Sequence, residues 1–240
     1  MKTRTITVLL VPLLALFAAC GDPAAEDGNN GNNGSAFPQE LEVCNPANGP
    51  FSTTIDNPYL PMAVGDVHVI EGLEAGEDPA RAVSEVLDET QEVFGVVTRV
   101  VMHKSYEGDT VDEIEDLVAE SRNYFAQAPD GTVCSFGEDE DIYEDGEFVE
   151  KEVWAAGEDG ALPSIAMPGD PKVGLIFIAS YRPDSDEVES SEITALGDSY
   201  DTKAGTFDDV MTVVEEGPSI KRYARGIGEI FDDGLELTQF

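Results

Sequence analysis

The 240-residue sequence predicts an all-β protein: a single curved, mostly antiparallel sheet in the manner of a half-barrel, with one or two short helices. Three observations carry this prediction. Short runs rich in Val, Ile, Phe and Tyr recur through residues 50–240, and such side chains fit a pleated, half-buried surface. Asp-Gly steps and other glycine pairs separate the runs, and these residues accept the positive φ of tight turns. Only two segments carry any helical character, and both are short.

The chain opens differently. Lys2 and Arg4 precede an apolar run from Ile6 to Phe17, and polar residues take over directly after Cys20. This is the layout of a signal peptide, too short and wrongly flanked to cross a membrane as a helix. Phe17-Ala18-Ala19-Cys20 resembles the lipobox of bacterial lipoproteins, with Phe17 where that motif usually has Leu. The resemblance implies cleavage before Cys20, a diacylglycerol on its sulfur and an acylated amino terminus. The alternative is an ordinary secreted protein with a free Cys20. Several acyl chains, at about 0.8 kcal/mol per buried methylene, make an anchor stable. The expected location is the bacterial envelope, at the outer membrane or cell surface rather than the inner membrane. Residues 1–19 are then the signal, 20–40 the lipidated Cys20 and a tether, and 41–240 one β-rich domain. Gly, Asn and Pro dominate the tether, which spans about 25 Å as a flexible chain.

Within the domain, Val67-His68-Val69-Ile70 reads as the first strand, and Val93 to Tyr106 as another. Asn123 to Gln127 and Thr132 to Phe136 flank Pro129-Asp130-Gly131, a hairpin signal. Asp145-Gly146 and Asp159-Gly160 repeat that punctuation. Later strands are Val173 to Tyr181, Ser191 to Leu196, Val210 to Val214, Ile220 to Ala224 and Ile227 to Phe231. Pro79 to Glu89 fits a helix or a strand. Thr110 to Glu120 places Val111, Ile114, Leu117 and Val118 near a three-to-four spacing with acids between, which predicts a short amphipathic helix.

Four fragments occur in an order that resembles a group of secreted bacterial proteins without an assigned activity. They are Asp56-Asn57-Pro58-Tyr59-Leu60-Pro61-Met62; Tyr124-Phe125-Ala126-Gln127 leading to Asp130-Gly131 and Phe136-Gly137-Glu138-Asp139; Trp154-x-x-Gly157-x-Asp159-Gly160-Ala161-x-Pro163 leading to Met167-Pro168; and Tyr223-Ala224-x-Gly226-Ile227-Gly228. The resemblance covers nearly all of residues 51–235 and implies one exported β-rich domain, with no reaction attached. The chain differs at His68 and Ile70, where that group carries Trp and Tyr, at Cys134 in place of an aromatic, and in an acidic insertion over residues 107–116. A more distant likeness is to curved-sheet envelope lipoproteins that hold acyl chains, which bears on fold alone.

Composition excludes several functions. A formal charge of −37 repels nucleic acid and anionic headgroups, so membrane contact is expected through the lipid only. Once Cys20 is lipidated, Cys44 and Cys134 remain in an oxidising compartment, which predicts a disulfide over a pair of unlinked buried thiols. No Gly-x-Ser-x-Gly, His-Glu-x-x-His or phosphate-binding glycine loop occurs, and there are only two histidines, His68 and His103. His68 reads as structural.

The acids from Glu138 to Asp145, with Asp139, Asp141, Glu144 and Asp145 as candidate ligands, suit Ca²⁺ by density of hard oxygens. An EF-hand register fails there, because Gly146 in sixth position puts Tyr143 third. Solvation is the competing account of the acidity. Tyr59, Tyr124, Phe125, Phe136, Trp154 and Tyr223 sit in the motif-bearing fragments; most are expected in the core, and on a curved sheet some line a pocket for an apolar ligand, with Tyr59, Tyr124, Phe136, Trp154 and Tyr223 as the candidates. Lys221, Arg222 and Arg225 are expected to pair with carboxylates across the sheet. The sequence therefore favours a non-catalytic binding or envelope-structural lipoprotein with no cofactor. A calcium-stabilised adhesion or scaffold domain and a carboxylate-dependent hydrolase are the alternatives.

Metabolic labelling with a palmitate analogue is expected to mark the wild-type protein and not Cys20→Ala. Equal labelling of both would refute the anchor.

Overall fold

The computed structural model describes residues 37–75, 77–183, 187–216 and 219–240. The signal segment, Cys20 and most of the tether lie outside them. Residues 37–240 form one compact unit that contains every strand, both hydrophobic clusters and the disulfide.

Thirteen strands form one open sheet, almost all of it antiparallel neighbours in sequence. They are β1 (Val67–Glu74), β2 (Asp78–Val93), β3 (Val96–Gly108), β4 (Ile114–Gln127), β5 (Val133–Glu144), β6 (Glu147–Ala155), β7 (Ser164–Met167), β8 (Ile176–Arg182), β9 (Glu187–Thr202), β10 (Gly205–Glu215), β11 (Ile220–Ala224), β12 (Gly228–Asp232) and β13 (Leu235–Gln239). The order is β6-β5-β4-β3-β2-β1-β13-β12-β11-β10-β9-β8, and β7 adds to β5. The pairing of β1 with β13 joins the two ends of the domain. Leu162 N–H, just before β7, donates to the carbonyl of Tyr181 on β8 at 3.1 Å. The sheet therefore curls until the β7 segment spans from one wing to the other, while β6 remains an edge carrying Glu147, Glu150, Lys151 and Glu152. Charge on an edge strand discourages pairing with another chain.

The all-β expectation holds, and the helical one does not. Pro79 to Glu89 lies within β2. Thr110 to Glu120 is a turn followed by the start of β4, with Ile114 buried. The β-branched Val111, Ile114 and Val118 lose rotamer freedom in a helix, and β3 offers β4 a long antiparallel partner. The single strand read over Val93 to Tyr106 is broken at its start by a hairpin turn, with Phe94 at φ 51° and Gly95 at φ 77°. A bulky residue at positive φ is strained. The Phe94 ring packs over Gly157, where an added Cβ would come within 2.3 Å of the ring. Sequence reading also missed β6, β7 and β13, and stopped β5 short of its acidic half.

A strap over residues 37–62 covers one end of the curled sheet. Two 3-10 turns, Gln39–Cys44 and Pro46–Asn48, bury Leu41 and Cys44. Cys44 is bonded to Cys134 of β5, with Cα atoms 5.7 Å apart, as the cysteine count predicted. Closing a loop of 90 residues contributes about 4.5 kcal/mol in the chain-entropy account. Ile55, Tyr59 and Met62 continue the strap into the main cluster with Val101, Phe136, Met167, Phe177 and Val213.

The strap is fixed by Asn57, only 1% exposed. Its Nδ2 donates to the carbonyls of Gly131 at 2.9 Å and Pro168 at 3.1 Å. Its Oδ1 accepts from the N–H groups of Tyr59 and Leu60 at 2.9 and 3.2 Å. Gln127 holds the same corner, with Oε1 accepting from Asp56 and Asn57 N–H. Gly226 N–H donates to the Pro58 carbonyl at 2.7 Å. Parts of the four fragments named above thus meet at one corner, as scaffold.

Asn57→Ala leaves buried partners unsatisfied and is expected to cost about 3 kcal/mol in urea unfolding. A loss under about 1 kcal/mol would contradict the role given to this side chain.

Candidate functional site

The curl forms a partly open cavity of about 610 Å³, lined from both wings of the sheet and by Leu60 to Met62 of the strap. Antiparallel register explains its lining, since opposed residues share a face. His68, Ser84, His103, Ser121 and Glu140 are successive cross-strand partners on β1 to β5 and form one polar row. All five line the cavity. Ser84 Oγ lies 3.0 Å from His103 Nδ1, and Asn123 Nδ2 donates to Ser121 Oγ at 2.8 Å. Nearer the strap the lining turns apolar, through Val86, Val101, Phe125, Met167 and Phe177.

The facing wall carries Lys221 and Tyr223 on β11, Glu229 and Asp232 on β12, and Glu215 on β10. Residues three apart on a regular strand point to opposite faces. Glu229 and Asp232 share the cavity face because the β11–β12 register shifts between Arg222 and Tyr223: Tyr223 opposes Glu229 while Arg222 opposes Phe231. The extra residue, Ile230, is a bulge that restores parity. Arg222 points the other way and stacks on Tyr200 and Phe231, 4.4 and 4.7 Å from the ring centroids.

Lys221 Nζ lies 3.4 Å from Asp232 and 3.7 Å from Glu215. Burial works against its charge, yet the carboxylates of Glu229, Asp232 and Glu215 outweigh that and hold its pKa well above the ordinary value. Glu229 shows the opposite balance. Glu229 lines the cavity, and its Oε1 is buried with no hydrogen-bond partner among the described residues. Burial first, and then Asp232 and Glu215 against the opposing pull of Lys221, raise its pKa to about 8. Burial likewise raises Tyr223, with Glu229 adding to it. His103 is lowered by burial and by Lys221, and His68 by burial, so both rings are neutral at pH 7.

The other candidates fall elsewhere. Of the five aromatics, only Tyr223 lines the cavity. Phe136 is fully buried beneath the strap and meets Phe51 edge-on at 5.5 Å. Tyr124 is buried in the same cluster, Tyr59 donates to Asp209 Oδ1 at 3.1 Å, and Trp154 sits under Arg182 at 5.6 Å. Tyr59, Tyr124 and Phe136 belong to the main hydrophobic cluster, together with Leu41, Cys44, Ile55 and Met62 of the strap. Phe125, from the same fragments, and Phe177 also line the cavity.

Asp139 and Asp141 lie two apart on β5 and flank Lys151, each at 3.5 Å, while Glu144 and Asp145 sit at the β5–β6 hairpin. Strand geometry spreads these acids instead of wrapping them round a point. Among the described residues no three His, Cys, Asp or Glu side chains converge as metal ligands. Residues 184–186 of the second acidic cluster lie outside the described residues. Lys221 and Arg225 pair with carboxylates as expected, Arg225 with Asp209 at 3.7 Å.

The raised Glu229 carboxyl has a stability consequence. Unfolded, it ionises near 4.5; folded, near 8. Its unfavourable contribution is absent below pH 4.5, grows between 4.5 and 8, and is constant above. Glu229→Gln removes it, so the variant gains on wild type by on the order of 1 kcal/mol per pH unit across that window. Urea unfolding at pH 5, 6.5 and 8 measures this, and a pH-independent difference would contradict it. Comparison of the chain with protein-family models, with curated proteins and with solved structures gave no match.

Proposed function

We propose that this protein is a lipid-anchored, non-catalytic binding module of the bacterial envelope, which holds a small amphiphilic molecule inside its curled sheet. The cavity carries the reading. Its volume of about 610 Å³ falls within the range of small-molecule sites. Its lining divides into an apolar part against the strap and a polar row with a charged wall opposite, which matches a ligand with one greasy and one polar end. An acylated Cys20 and the polar residues behind it would hold such a domain near a membrane surface, where amphiphiles are found.

Binding of the uncharged reporter N-phenyl-1-naphthylamine to the Phe37–Phe240 unit tests this. One saturable fluorescent site is expected. Ala179→Trp fills the cavity from β8 and is expected to weaken reporter binding about tenfold or more while leaving the thermal midpoint near that of wild type. No saturable signal from the folded wild-type protein would overturn the reading.

A further inference from the structure

We infer that the cavity selects a ligand bearing a protonated primary amine, with the ammonium paired to the carboxylate of Glu229. This inference rests on the binding reading above and specifies the ligand's polar end.

Four observations converge on it. Eight carboxylates line the cavity against two cations, Lys221 and Arg81. Both cations already face carboxylates: Lys221 pairs with Asp232 and Glu215 and also offsets Glu229, and Arg81 is bound to Glu71 at 2.9 Å and to the Ile114 carbonyl at 3.0 Å. Glu229 is left as an enclosed carboxyl with one oxygen that meets no donor, and such a group is costly unless a partner arrives. Finally, the register shift at Ile230 turns this side chain toward the cavity.

An ammonium fits this vacancy in chemistry. It brings positive charge where the protein supplies too little, and N–H donors where an acceptor lacks one. A carboxylate-bearing ligand would add to an excess of like charge. A hydroxyl would bring one donor and no charge. The apolar lining then takes the hydrocarbon body.

Binding of a fixed cation favours ionised Glu229, so each ligand bound displaces a proton where Glu229 is protonated. The groups facing Glu229 are Lys221 and Tyr223 of β11, Asp232 of β12, Glu215 of β10 and His68 of β1; His103 of β3 is coupled to Lys221 and Asp232. The histidines are neutral and Lys221 is charged across pH 7–8.5. Glu229 is therefore the group that titrates in that interval, and amine affinity rises with pH there.

The test uses four eight-carbon probes on the Phe37–Phe240 unit: octylammonium, octyltrimethylammonium, octanol and octanoate. Isothermal titration and displacement of N-phenyl-1-naphthylamine read affinity at pH 6, 7 and 8. Octylammonium is expected to bind at one site, about tenfold or more tighter than the other three. Its affinity is expected to rise severalfold from pH 6 to 8, with proton release seen as a buffer-dependent heat. Glu229→Gln is expected to weaken octylammonium and flatten the pH dependence.

Equal binding of octanol or octanoate would overturn the amine assignment and leave the binding module standing. Equal, multiple, salt-labile binding of both cations would reduce the effect to the acidic surface and also overturn it. Absence of binding by every probe and by the reporter would overturn both readings. The wild-type probe series and its pH dependence decide the matter even where Glu229→Gln fails to fold.

Discussion

The structure depends on the buried amide of Asn57. A curled open sheet has one end that must be closed, and here the closing segment is irregular strap, whose backbone cannot satisfy itself by a ladder. Asn57 supplies two acceptor and two donor contacts at one point, tying the strap's own turn to Gly131 and Pro168. The Cys44–Cys134 bond fixes the other end of the strap to β5. Between them, Ile55, Tyr59 and Met62 are held against the sheet as its floor. Without that floor the apolar part of the cavity would open to water.

The recurring fragments and the cavity divide the work. Asp56-Asn57-Pro58-Tyr59, Ala126-Gln127, Asp130-Gly131, Met167-Pro168 and Gly226 meet at the strap corner. The polar row and the Lys221–Glu229 wall lie along strands whose identities such fragments leave mostly unspecified. His68 faces the cavity from β1.

Legibility from the sequence followed the range of the interactions. Ile220–Ala224 reads as a strand from its own residues, and β11 has those bounds. Thr110 to Glu120 misled because a three-to-four apolar spacing arises by chance in an acid-rich stretch, whereas pairing with β3 decided its conformation. The Phe94-Gly95 turn was hidden because its first residue is stabilised by a contact with Gly157, far along the chain. Tyr59, Tyr124 and Phe136 lie in the core, as expected of most of the motif aromatics, but a periodic strand shows two faces and the sequence does not say which face the strap covers.

The sequence by itself determined the all-β class, the tight Asp-Gly hairpins, the disulfide partners and the excess of negative charge, because each follows from local conformational preference or from counting. Only the tertiary structure decided the cavity and its charged wall. His68, Ser84, His103, Ser121 and Glu140 become neighbours through the register of five strands. Glu229 and Asp232 share a face only through the extra residue at Ile230. A one-residue change of register reverses every side chain of a strand. The polar row and the placing of Glu229 are thus properties of pairing across the sheet, which no single stretch of this sequence encodes.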